Sequence, residues 1–78
     1  MKTAEEAAES RALQEAINAF LASLPRKKRS TFLLRYWHAE PVSAIAKRLG
    51  MTENSVSVTL HRTRAALKDY LTERGFDV

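Results

Sequence analysis

The chain has no cysteine. Disulfides and thiolate metal sites are therefore excluded, while the redox compartment stays open. Only two glycines and two prolines occur in 78 residues. So few turn formers point to a handful of helices joined by short loops and away from a many-stranded sheet. With only Gly50 and Gly75, there is no glycine-rich phosphate loop. Long apolar runs are missing too, and none exceeds four residues, far short of the ~20 that span a bilayer. Glu5 and Glu6 stand where a signal peptide would be basic and then apolar, so a cytoplasmic protein without a membrane partner is expected. Repeats and low-complexity tracts are absent.

Hydrophobic residues make up 45% and charged residues 28%, the balance of a folded globular chain. A domain this short buries only ~60% of its unfolded surface, so its core must be thin. The net charge of +4 is unevenly spread. Residues 1–24 carry −2 and residues 25–78 carry +6. A basic body behind an acidic leader fits a polyanionic partner, and equally a basic surface that serves only solubility.

Four helices are expected. The first runs from about Ala4 to Ser23, with Leu13, Ile17, Phe20, Leu21 and Leu24 in one stripe. Before Leu13 there is no stripe, so residues 1–12 read as a linker or frayed helix start, residues 13–75 as the domain and residues 76–78 as a tail. Pro25 ends the first helix and suits the first turn of the second. That second helix is expected over Arg26–His38, with Phe32, Leu33, Tyr36 and Trp37 on its buried side. Its opening Arg26-Lys27-Lys28-Arg29 run opposes the helix dipole, which fits an anionic partner or a solvated basic turn. A short third helix, Val42–Leu49, would end at Gly50. Thr52 has the chemistry of an N-cap for a fourth helix reaching Glu73 or Arg74, with Val56, Leu60, Leu67, Tyr70 and Leu71 inward.

A short helix, a glycine turn and a longer helix make the layout of a helix-turn-helix, also found in helical hairpins that bind no DNA. Taking 100° per residue from Val56, the inner side holds Leu60, Thr63 and Leu67. Asn54, Val58, His61, Arg62 and Ala65 then face outward with Ser57 at their flank. Asn and Arg can pair bidentately with adenine and guanine edges, and Val58 can pack on a thymine methyl. The base-reading candidates are thus Asn54, Ser57, Val58, His61 and Arg62. Lys28, Arg29, Arg35, Lys47, Arg48 and Arg64 are candidates for phosphate contacts, or else plain solvated charge. An enzyme is not expected. His38 and His61 have no cysteine or clustered acid beside them to build a metal or nucleophile site. No cofactor is expected.

Several pieces together resemble region 4 of bacterial sigma-70 family sigma factors, especially the extracytoplasmic-function group. They are Leu24-Pro25, Phe32-Leu33-Leu34-Arg35-Tyr36, Ile45-Ala46, Leu49-Gly50-Met51-Thr52 and the stretch Val56 to Leu67, which contains Leu60-His61-Arg62-Thr63-Arg64-Ala65. The resemblance implies an all-α, four-helix domain with a C-terminal helix-turn-helix, of winged-helix-like or sigma region 4 type. It implies a last helix that reads the minus-35 element of double-stranded promoter DNA. It also implies docking on the β-subunit flap of core RNA polymerase, for which Phe20, Leu24, Phe32, Tyr36 and Trp37 are the candidates, and an anti-sigma factor as a further partner. Tyr36 and Trp37 read equally as core and near-surface aromatics. The chain departs from the pattern in two places. Ser57 and Thr59 stand where many relatives are basic, and Pro41 replaces the usual serine cap. Nothing resembles region 2, so a fragment of a longer sigma factor is expected, with a stand-alone relative as the alternative.

Overall fold

A computed structural model describes residues 4–77. Residues 1–3 of the expected leader and residue 78 of the expected tail lie outside the described residues. Four helices follow one another: α1 (Ala4–Ser23), α2 (Arg26–Tyr36), α3 (Val42–Leu49) and α4 (Glu53–Glu73). No strand occurs among the described residues, so of the two named types the one without a β wing is observed. The fold is all-α, as the scarcity of turn formers implied.

α4 is the spine. α1, α2 and α3 all pack against it, and α2 also packs on α3. The innermost cluster is Ile45, Ala46, Val56 and Leu60, closed over by half-buried Leu34, Val42, Leu49 and Met51. A second buried group, Phe20, Leu21 and Leu71, joins α1 to the far end of α4. Two threonines complete the interior. Thr31 is fully buried and Thr63 nearly so. Their hydroxyls donate one turn back, to the carbonyls of Lys27 and Thr59, both at 2.7 Å. Such bonds let a short polar side chain sit in a core at little cost.

The end of α2 corrects the sequence reading. The helix stops at Tyr36, not His38, and Trp37 is its C-cap. The amides of Trp37 and His38 both donate to the Leu33 carbonyl, at 2.8 and 3.2 Å, and Glu40 N–H donates to Leu34 O at 3.0 Å. Ala39 turns the chain with φ 53°, a left-handed conformation uncommon for a residue with a Cβ. Pro41 disfavours a helical residue before it, so α2 cannot run on into α3. Tyr36 and Trp37 are consequently not on a buried side. Tyr36 is 48% exposed and Trp37 is 73% exposed. Thr31 is the buried residue of α2. In α4, Leu67 and Tyr70 are half-buried, while Val56, Leu60 and Leu71 are buried as expected.

Candidate nucleic-acid interface

The helix-turn-helix is built from Val42 to the first turns of α4. Gly50 caps α3 at φ 65°, in the left-handed conformation, and Met51 N–H closes the turn on Ala46 O at 2.9 Å. Glycine has no Cβ to oppose that conformation. Thr52 is extended and its Oγ1 accepts the Ser55 amide at 3.0 Å, which fixes where α4 begins. Pro41 stands as the N-cap of α3 without a side-chain cap bond. With Val56 and Ile45 fully buried between the two helices, the outward face of α4 is set by helical phase.

Asn54, Ser57, Val58, His61 and Arg62 are all exposed. They do not share one narrow stripe. His61 borders a groove of about 520 Å³ together with Phe32 and Tyr36 of α2 and Arg64, Leu67 and Leu71 of α4. Arg62 lines a different hollow, about 280 Å³, with Leu24, Lys28, Thr59 and Thr63. The two side chains thus open onto opposite shoulders of α4, with Asn54 and Val58 between them by helical phase.

The six phosphate-contact candidates fall into different situations. Lys47 is exposed, and exposed Lys28 borders the same hollow as Arg62. Arg29 is half-buried. Arg35 Nη1 donates to the backbone carbonyl of Glu40 at 3.2 Å. Arg48 makes a forked ion pair with the Glu40 carboxylate, Nη2 to Oε1 at 2.5 Å and Nε to Oε2 at 3.2 Å. Arg64 lies over the Tyr36 ring, 5.8 Å from its centroid, within cation–π range. Three of the six cations are therefore already engaged inside the domain. The sequence reading missed Glu40. It lies eight positions before Arg48, across a turn and a proline, where no helical spacing signals a pair.

The sequence pattern of the family described as "Sigma-70, region 4" matches residues 14–67, which spans the helix-turn-helix and both shoulders. The chain belongs to the sigma-70 region 4 family. It is 34% identical over 73 residues to an RNA polymerase sigma-E factor of Streptomyces coelicolor, covering 94% of this chain and 41% of that protein. It is 39% identical over 57 residues to a sigma-E factor of Streptomyces avermitilis, covering 73% of this chain and 32% of the relative. A sigma-E factor of Streptomyces antibioticus matches at 39% over 54 residues, 69% of this chain and 30% of that one. The chain thus spans less than half the length of these relatives.

Within this region 4 domain the five polymerase-docking candidates are not gathered into one surface. Phe20 is buried, with its ring 5.3 Å from Tyr70, so it is a core side chain that joins α1 to α4 and not a docking residue. Leu24 is half-buried at the Arg62 hollow. Phe32 and Tyr36 stack at 4.7 Å along the groove, and Trp37 stands at the end of α2. Among the described residues no group of three or more His, Cys, Asp or Glu side chains could hold a metal. Nor, among the described residues, is any helix long and apolar enough to cross a membrane.

Proposed function

We propose that this chain is the promoter-recognition domain of an RNA polymerase sigma factor, with α4 in the major groove of the minus-35 element. The observation that carries this reading is a helix-turn-helix, inside a region 4 match, whose second helix leaves Asn54, Ser57, Val58, His61 and Arg62 open to a ligand. In such docking the first half of the reading helix meets base edges while neighbouring helices face the phosphates. Sigma factors are transcription initiation factors, so no catalytic step is assigned. Lys28, Arg29 and Lys47 are the phosphate contacts proposed, with Arg64 at the edge of the reading helix.

The groove beside His61 and the exposed Tyr36 and Trp37 support the second half of the proposal, docking on the β-flap of core polymerase. Trp37 at 73% exposure is unusual for the largest apolar side chain of a lone domain. An anti-sigma factor would compete for the same aromatic side. A second reading, an interaction module that no longer reads DNA, is favoured by one feature. Ser57 and Thr59 leave the reading helix with little charge.

Selection from a promoter library, with the chain alone and with core polymerase, decides between the two. Enrichment of a common upstream element with polymerase present supports promoter reading. Polymerase binding with no sequence enrichment would leave only the interaction module.

A further inference from the structure

We propose that Glu40 is an internal stand-in for a DNA phosphate, occupying the fork of Arg48 and so limiting the domain's sequence-independent grip on duplex DNA. The inference rests on the DNA-binding reading above. Both carboxylate oxygens meet Arg48, Oε1 to Nη2 and Oε2 to Nε. That is the two-pronged geometry with which arginine takes up phosphate. The acid is the more enclosed partner, its side chain 21% exposed against 60% for Arg48. The guanidinium therefore reaches outward from a carboxylate held behind it.

The backbone of Glu40 is also held. Arg35 Nη1 donates to its carbonyl at 3.2 Å, and its own N–H donates to Leu34 O at 3.0 Å. Ala39 and Pro41 confine the chain on either side. A carboxylate fixed in this way keeps its hold on Arg48 without the ordering cost that a mobile side chain would meet. α3 carries two cations in its last turn, Lys47 and Arg48, and no acid in its first. With Arg48 engaged, Lys47 is the cation of α3 left for the backbone. Phosphate contacts act on every sequence alike, whereas base contacts from α4 do not involve Glu40. Restraining one phosphate contact therefore lowers binding everywhere and preserves the ratio between right and wrong sites.

The test uses the full chain, a labelled duplex of random sequence and anisotropy across a salt series. Glu40→Gln is expected to raise affinity by roughly threefold to tenfold at low salt and to steepen the salt slope by about one unit, the signature of one added phosphate contact. Glu73→Gln adds the same charge at the far end of α4 and is expected to leave the slope unchanged. Adding Arg48→Ala to Glu40→Gln should abolish the gain. The proposal is overturned if Glu73→Gln matches Glu40→Gln, or if the gain survives Arg48→Ala. Should Glu40→Gln fail to fold, Arg48→Lys carries the test at constant net charge. Loss of the fork should then raise affinity, and unchanged or weaker binding overturns the idea. Absence of duplex binding by the native chain at the lowest salt would overturn the DNA-binding reading and this inference together. Binding with indistinguishable variants would overturn the inference alone.

Discussion

At the scale of single residues, two positions with positive φ make opposite predictions. Gly50 at φ 65° has nothing within 4 Å of where a Cβ would stand, so the cost of Gly50→Ala is purely conformational. A left-handed residue with a Cβ costs ~1–2 kcal/mol, partly offset by a stiffer unfolded chain. A net loss of about 1 kcal/mol is expected, a fall of roughly 4–8 °C in a melting curve. Ala39 at φ 53° already bears that strain, so Ala39→Gly should leave the melting point unchanged or raise it by a few degrees. Arg62 and Lys28 border one hollow, and the roles proposed for them make different predictions. Arg62→Ala should cost ~1–3 kcal/mol on the right promoter and relax discrimination there. Lys28→Ala should weaken all sequences alike and lower the salt slope by about one unit. Footprinting with polymerase present reads both. The exposure of the base-reading candidates was legible because the phase of α4 follows from Val56, Leu60 and Thr63. Ala39 was not legible, since nothing in an alanine announces a left-handed turn.

At the scale of elements, the boundaries of α1, α3 and α4 followed from local chemistry, namely Pro25, Gly50 and the hydroxyl of Thr52. The end of α2 did not. Tyr36-Trp37-His38 continues an apolar pattern that a reader extends, while the chain is turned by Leu33 and Leu34 carbonyls accepting from residues beyond the helix. Burial misled in the same way. Tyr36 and Trp37 were expected on the buried side and are exposed, whereas Thr31, for which no burial was expected, is fully buried against Met51, Oγ1 to Sδ 3.9 Å. Because Val56 and Leu60 hold α4 against α3, Leu60→Ala should cost ~2–5 kcal/mol. That is a large fraction of the ~5–15 kcal/mol typical of a domain, and urea denaturation checks it. Thr52→Ala removes the cap of the reading helix and should cost ~0.5–2 kcal/mol. Its DNA affinity should fall along with its stability, since the frayed turn carries Asn54.

At the scale of the whole molecule, the domain is elongated. Its extents are 43 × 27 × 18 Å and its radius of gyration is 14.3 Å, against about 11–12 Å for a compact chain of this length. Flap docking is a prediction at this scale. An isolated β-flap fragment should shift NMR resonances of α2 and of the second half of α4 around the groove. Shifts confined to α1, or none at high fragment concentration, would leave Tyr36 and Trp37 without that role. The main packing partner of α1 is α4, the element furthest from it in the chain. Phe20 on Tyr70, with Arg74 stacked 3.4 Å above the same ring, closes that junction. The other packed pairs, α3 on α4, α2 on α3 and α2 on α4, close shorter stretches of chain, and such contacts form earlier because less chain entropy is lost in making them. The α1–α4 junction is therefore the last to close and the first to open. In hydrogen exchange the amides of α1 should become unprotected while those of α3 and α4 still report global unfolding. The helix-turn-helix then survives, intact, in a molecule whose first helix has already let go.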